Sequence, residues 1–361
     1  MFSSLTLEQK IGQLFFIGLP AVELDETAKS LLTEINAGGI CLFQRNCREP
    51  QQIRKLLDDL RDFLPIQPIL SLDQEGGLVD RLRRIIEPMP SASSLKTLDK
   101  VKKLAEITAE IVSMLGFNMN FAPVVDVVTE ERGKYQNGLQ SRAFGKSKED
   151  AVEFAGEYLT TLQKNNILGS VKHFPGLGAT QIDSHEDLPT VNIYEDEFYG
   201  VDQFPYQELL KSNSVHCVMV AHAAFPNLDL QETDSAGKLL PSSLSFNIIT
   251  KLLREKLNFQ GLVVTDDMEM GAIMRNYGIG EACKSGIKAG EDMLLICANG
   301  DVMREGYQAV LQAVKSGEIP ETRIEESLQR IAKFKNLMSS PLDFDESRLN
   351  QLSEQIKVLK N

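Results

Sequence analysis

Two acids, Asp266 and Asp267, directly follow the β-branched run Gly-Leu-Val-Val-Thr that ends at Thr265, and Lys172 and His173 lie in the run Gly-Ser-Val-Lys-His-Phe that ends at Phe174. Asp73 follows Pro-Ile-Leu-Ser-Leu, and His222 closes the run that starts at His216. Beyond Phe174 the chain reads PGLGATQIDSHEDLP, which carries Asp183 two residues before His185. A carboxylate at such a point can attack an electrophilic carbon. An imidazole, with an unperturbed pKa of about 6.5, can give and take a proton near neutral pH. Held against the anomeric carbon of a sugar, Asp266 would split displacement into two steps through a covalent intermediate. His185 would protonate the departing oxygen and then activate water. Asp183 can accept from one ring nitrogen of His185 and fix its tautomer, which is the logic of a triad without the serine. Any one acid after a strand is most often a helix cap, and Asp267 can be read as capping the helix that begins at MEMGAIM. Convergence of several such positions is what points to a site.

Eight short apolar, β-branched runs recur along the chain, near residues 14–18, 39–43, 68–72, 119–123, 169–174, 216–222, 261–265 and 292–298. Longer stretches of helical periodicity separate them, such as EPQQIRKLLDDLRDFL and KEDAVEFAGEYLTTLQKNN. The alternation predicts a single-domain α/β fold, a (β/α)8 TIM-like barrel over residues 1–361, with helices from about 320 to 361 packing on it. No glycine-rich dinucleotide fingerprint favours an open doubly wound sheet, which remains the minority alternative. In a barrel the C-terminal strand ends build the site, and that is where the polar residues above fall. Pro175, Gly176 and Gly178 end the fifth strand and permit the backbone angles of a loop that swings Asp183 and His185 over the pocket. Gly76 and Gly77, after the third strand, are expected to shape the pocket floor, and Glu75 beside them is the competing candidate for a second catalytic carboxylate.

With 38 basic and 51 acidic residues and a net charge of −13, the chain repels phosphate backbones and anionic lipid, so neither nucleic acid nor a membrane is an expected partner. The N-terminal MFSSLTLEQKIGQLFFIGLP has no basic leader, and its apolar run is short, which predicts a cytoplasmic protein; a monomer is the default expectation, with nothing in the sequence to fix the oligomeric state. The five cysteines, Cys41, Cys47, Cys217, Cys283 and Cys297, share no CxxC spacing and read as buried reduced thiols rather than a disulfide framework or zinc site. His216 and His222 read as strand residues, since no Cys or carboxylate stands at a convincing ligand spacing. No metal and no cofactor are expected.

At these residues the sequence resembles the bacterial β-N-acetylhexosaminidases of glycoside hydrolase family 3, of the peptidoglycan-recycling type. LTLEQKIGQLF, GGICLFQRN, SLDQEGGLVDRL, NFAPVVDV, SRAFG, VKHFPGLGATQIDSH, VMVAHAAFP, GLVVTDDMEM and AGEDMLLI carry the resemblance in the family's order over most of the chain. The resemblance implies Asp266 as nucleophile, His185 as general acid/base and Asp183 as its orienting partner. It implies Asp73, Arg81, Arg142, Lys172 and His173 as the residues that hold the N-acetylglucosamine ring. The loop departs from the family in carrying Leu177 and Ala179 where a His and a polar residue are common. The implied substrate is a terminal β-linked N-acetylglucosamine on 1,6-anhydro-muramic acid or its peptides, a small carbohydrate partner met in the cytoplasm.

Four rivals are weighed against that reading. A glycoside phosphorylase would use phosphate in place of water. A β-glucosidase of the same family would carry its acid/base on another domain, for which this chain is short. A Schiff-base aldolase would use Lys172. A sugar-binding protein without turnover would keep the pocket alone.

Overall fold

The computed structural model describes residues 2–135, 137–181, 188–212 and 214–360. Each of the eight runs contains a strand. β1 is Phe15–Gly18, β2 Gly39–Leu42, β3 Ile69–Leu72, β6 Met119–Asn120, β9 Cys217–Val220, β10 Leu262–Asp267 and β11 Met293–Ile296. The fifth run is divided into β7, Leu168–Gly169, and β8, Val171–Phe174. All these strands pair in parallel, in the order β7-β6-β3-β2-β1-β11-β10-β9-β8. β7 at one end of that order and β8 at the other are joined through Ser170 alone, so the sheet curls into a nearly closed ring of eight strand positions. A bridge from Val124 to Lys172 ties the seam further. β1, β2, β3, β9 and β11 are buried at every residue, as expected of strands covered by helices outside and by each other within.

The helices follow their sequence signals. Pro50–Phe63 starts with proline in its first turn, where no N–H is needed, and buries Ile53, Leu56, Leu57 and Leu60 along one face. Leu98–Leu115 is capped by the Thr97 side chain and ends at Gly116, whose φ of 105° suits glycine. Glu321–Lys335 closes the N-terminal end of the barrel. There Asp292, ahead of β11, accepts from Arg254, Arg330 and Ser327. The last helix, Glu346–Lys360, lies on Leu98–Leu115 with Leu349, Leu352 and Ile356 buried and Arg348 on Glu110. One continuous apolar core takes in strands and helices alike. All five cysteines are free and buried, and no helix among the described residues is long and apolar enough to cross a membrane.

A small hairpin not foreseen in the sequence, β4 Gln74–Gly76 with β5 Val79–Asp80, follows β3 and turns at Gly77 and Leu78. Gly76 and Gly77 have φ of 90° and 60°, and a Cβ on Gly76 would lie 2.2 Å from the Pro90 carbonyl oxygen. Glycine is therefore required on both counts. The hairpin turns Glu75 inward and sends Arg81 back toward Asp73.

Candidate active site

A cavity of about 430 Å3 opens at the C-terminal ends of the strands, within the range of roughly 300–1,000 Å3 usual for small-molecule sites. Asp73, Arg81, Arg142, Lys172, His173, Asp266, Asp267 and Glu269 line it, with Phe43 and Met219 among its apolar walls. Six of the eight site residues expected from the sequence are thus brought to one place. The other two, Asp183 and His185, lie outside the described residues.

The charged groups form a continuous chain of contacts. Arg81 Nη2 donates to Asp73 Oδ2 at 3.2 Å, and Lys172 Nζ donates to Asp73 Oδ1 at 2.8 Å. Lys172 Nζ also lies 2.7 Å from Glu75 Oε1. Arg142 grips Glu75 with two parallel bonds, Nε to Oε2 at 2.8 Å and Nη2 to Oε1 at 2.9 Å. Arg142 Nη2 then meets His173 Nε2 at 3.1 Å, and His173 Nδ1 lies 2.7 Å from Asp126 Oδ2. Phe43, just past β2, packs its ring under the Arg81 guanidinium, 5.2 Å from the ring centre, and under Arg45 on its other contact.

Burial alone would push every carboxyl here toward its neutral form. For Asp73 that effect is overcome by Lys172 and Arg81, which hold its carboxyl well below the ordinary range. For Glu75 it is overcome by Arg142 and Lys172, which bring it down to about 2. Both are ionised acceptors. Burial likewise opposes the Lys172 ammonium, but Asp73 and Glu75 raise its pKa above the ordinary lysine value. An amine held protonated between two carboxylates is a poor Schiff-base nucleophile, so the geometry disfavours the aldolase reading.

Asp266 sits at the end of β10, where Oδ1 accepts from the Asp267 N–H at 2.8 Å. Burial would raise its pKa, but the imidazoles of His173 and His222, the Lys172 ammonium and the Asp267 N–H together outweigh this and hold it below the ordinary aspartate value. Asp267 behaves oppositely. Burial and the neighbouring Glu269 and Asp266 push it up to about 7, while its Oδ1 accepts from the Glu269 N–H. It braces the turn before the helix Gly271–Met274 rather than capping that helix, whose N-cap position is Met270. His222, buried just past β9, joins Ser243 Oγ at 2.6 Å to the Asp267 carbonyl oxygen at 3.1 Å and so fixes the end of β10.

The described part of the loop after β8 is pinned. Leu177 N–H donates to Asp126 Oδ1 at 2.7 Å, and Arg132 joins the Val127 carbonyl to both oxygens of Asp202. Gly176 has φ of 123° and would set a Cβ against Asp202. Gly178 is needed for a different reason from the backbone angle expected of it: a Cβ there would lie 2.1 Å from the Val127 carbonyl oxygen. Leu177, a departure from the resembled family, is buried and forms part of the cavity wall.

Asp126, Phe43 and Glu269 were not foreseen as site residues, and Glu75 was foreseen only as a rival acid. Asp126 carried the same signal as Asp73, an acid at the end of an apolar run, here Asn-Phe-Ala-Pro-Val-Val. Among the described residues no cluster of three or more His, Cys, Asp or Glu is arranged to hold a metal ion.

Asp266 thus faces, across the barrel mouth, an array of cations each paired with an ionised carboxylate. Residues 6–334 match the glycosyl hydrolase family 3 N-terminal domain, and the chain belongs to that family. A β-hexosaminidase of Psychromonas ingrahamii is 30% identical over 348 residues, covering 92% of this chain and 96% of the relative. A family 3 β-N-acetylglucosaminidase structure from Paenibacillus sp. FPU-7 superposes with a TM-score of 0.86 at 33% identity, covering 99% of this chain and 69% of that one. A family 3 glycosyl hydrolase from Mycobacterium smegmatis gives a TM-score of 0.79 at 31% identity, covering 94% and 99%.

Proposed function

We propose that the protein is a retaining β-N-acetylhexosaminidase that releases terminal, non-reducing β-linked N-acetylglucosamine from peptidoglycan fragments, N-acetylglucosaminyl-1,6-anhydro-N-acetylmuramic acid and its peptides, in the cytoplasm. The observation that carries this reading is that Asp266, ionised, shares one cavity with Asp73, Lys172 and Arg142, the last two of which Glu75 links from behind. The hexosaminidase specificity draws support from the β-hexosaminidases and β-N-acetylglucosaminidases that the chain resembles.

In this mechanism the sugar hydroxyls donate to Asp73 and accept from Arg81, Lys172 and Arg142, whose remaining N–H groups are available once each has satisfied its carboxylate partner. Asp266 attacks the anomeric carbon as the glycosidic C–O bond breaks, and His185 delivers a proton to the departing oxygen. Water then attacks the glycosyl-aspartate, giving its proton to His185, with Asp183 holding the imidazole throughout. Among the lining side chains Asp73, Asp266 and Glu269 balance Arg81, Lys172 and Arg142, and Glu75 behind them pairs with two of those cations. That balance favours neutral water over phosphate as the acceptor.

The test is hydrolysis of nitrophenyl β-N-acetylglucosaminide beside the β-glucoside, followed by trapping with an activated fluorosugar and mass mapping. Turnover of the acetamido sugar with the label on Asp266 is the expected result. Equal or better turnover of the glucoside would move the protein to the glucosidase branch, and label on another residue would remove Asp266 as nucleophile.

A further inference from the structure

We propose that Asp126 is the positioning residue of the site: its carboxylate fixes the His173 tautomer and anchors the root of the loop after β8, so that the sugar-holding array and that loop share one support. Asp126 is fully buried, and each of its oxygens faces N–H donors. Oδ1 accepts from Leu177 N–H at 2.7 Å and more distantly from His173 N–H at 3.4 Å, and Oδ2 lies 2.7 Å from His173 Nδ1. On its far side His173 Nε2 stands 3.1 Å from Arg142 Nη2. A guanidinium has donors and no acceptor, so Nε2 must present its lone pair, and the ring proton must sit on Nδ1, directed at Asp126. A doubly protonated ring would oppose Nε2–H to the Arg142 N–H. The ring is therefore a neutral connector that aligns the Arg142 guanidinium, the same group that grips Glu75 through two bonds.

In Asp126→Asn the backbone donors of Leu177 and His173 cannot reverse, so the amide oxygen must stay toward them and the amide N–H2 must face His173 Nδ1. The imidazole is then forced into the Nε2–H form, which points a donor at Arg142. The loop root keeps its bond while the array loses its alignment.

The experiment has two arms. The first needs no substrate: 15N spectra of histidine-labelled protein at neutral pH, with the His173 signals assigned among the four histidines by their loss in His173→Gln. The expected wild-type form is Nδ1–H with Nε2 accepting, and Asp126→Asn is expected to convert it to Nε2–H. An imidazolium or an Nε2–H ring in the wild type overturns the proposal even if the variant fails to fold. The second arm rests on the hexosaminidase reading. With nitrophenyl β-N-acetylglucosaminide, Asp126→Asn should lower kcat/KM by about 10- to 100-fold, the loss of a hydrogen bond to a charged group, with KM rising more than kcat falls. The same change in the His173→Gln background should add little. An undiminished effect in that background refutes action through His173. Absence of activity from the wild type would count against the hexosaminidase reading and leave the tautomer measurement to decide this one.

Discussion

Glu75 supports two of the cations that the sugar-binding model needs, and replacing it with glutamine separates the roles a buried carboxylate can play. Lowering its pKa from the ordinary 4.5 to about 2 corresponds to about 3 kcal/mol of favourable coupling to Arg142 and Lys172 beyond the cost of burial. Glutamine keeps the shape but can turn only one oxygen to the two cations, and its N–H2 opposes the other. An unfolding entropy of about 2.1 cal/mol/K per residue gives about 0.76 kcal/mol/K for the 361 residues. The expected loss in Tm at pH 7 is thus about 4 °C. Because the folded pKa is depressed, this contribution is complete above about pH 4.5 and disappears as the pH falls toward about 2, so the difference in Tm should shrink through that window. Calorimetry of both proteins across that range measures it. In parallel, KM for the N-acetylglucosaminide should rise about tenfold or more, while both limbs of the pH–rate profile stay in place. A Tm within 1 °C or so of wild type would refute the coupling. Loss of one limb of the profile with KM preserved would instead make Glu75 the proton donor.

Asp266→Asn should lower kcat by about 10^3-fold or more and leave binding of N-acetylglucosamine, read by calorimetric titration, nearly intact. A pure binding protein would show no turnover in either form. His185→Ala should slow natural disaccharides more than nitrophenyl glycosides, because a good leaving group needs little protonation, and equal slowing would argue against the acid role. Inorganic phosphate should neither accelerate release nor appear in the product, and a sugar 1-phosphate detected by mass spectrometry would reverse the choice of acceptor. Lys335 is buried beneath the barrel with its ammonium on Gln13 Oε1, and burial lowers its pKa from 10.5 to about 7. Its unfolded form binds the extra proton between those values, so folding stability rises with pH from about 7 to 10.5, by up to about 5 kcal/mol. Lys335→Met should raise Tm at pH 7 and flatten that rise in urea or thermal unfolding.

The barrel was legible because its signal is local: each strand is a short β-branched run bounded by turn residues, and each helix shows its own apolar stripe. What the sequence concealed depends on closure. Gly-Ser-Val-Lys-His-Phe reads as one strand, yet it pairs with β6 on one side of Ser170 and with β9 on the other, a division that exists only because the sheet returns on itself. The hairpin at Gln74–Asp80 was missed because Gly-Gly-Leu between short polar segments has no alternation to mark it. Within the site, acids at strand ends were visible one at a time, but their pairing was not. His173 meets Asp126 and Arg142 across 47 and 31 residues of sequence, and no local pattern encodes which acid takes which base.

That pairing decides what the site can bind. An unpaired array of Arg81, Lys172 and Arg142 would attract phosphate and carboxylate ligands and would repel a transition state that carries positive charge on the sugar ring. The field of each cation here is instead offset by a carboxylate, Arg81 and Lys172 by Asp73, and Lys172 and Arg142 by Glu75. What remains toward the cavity is a set of fixed hydrogen-bond donors and acceptors whose three cations are balanced by Asp73, Glu75 and the facing Asp266, which under the proposed mechanism would orient hydroxyl groups without repelling an oxocarbenium-like centre. The same pairing sets a limit on substitution. Neutralising Asp73 leaves Arg81, and neutralising Glu75 leaves Arg142, without its carboxylate, while Lys172 keeps one partner in either case, so the array should tolerate loss of an acid better when its dependent arginine is changed with it.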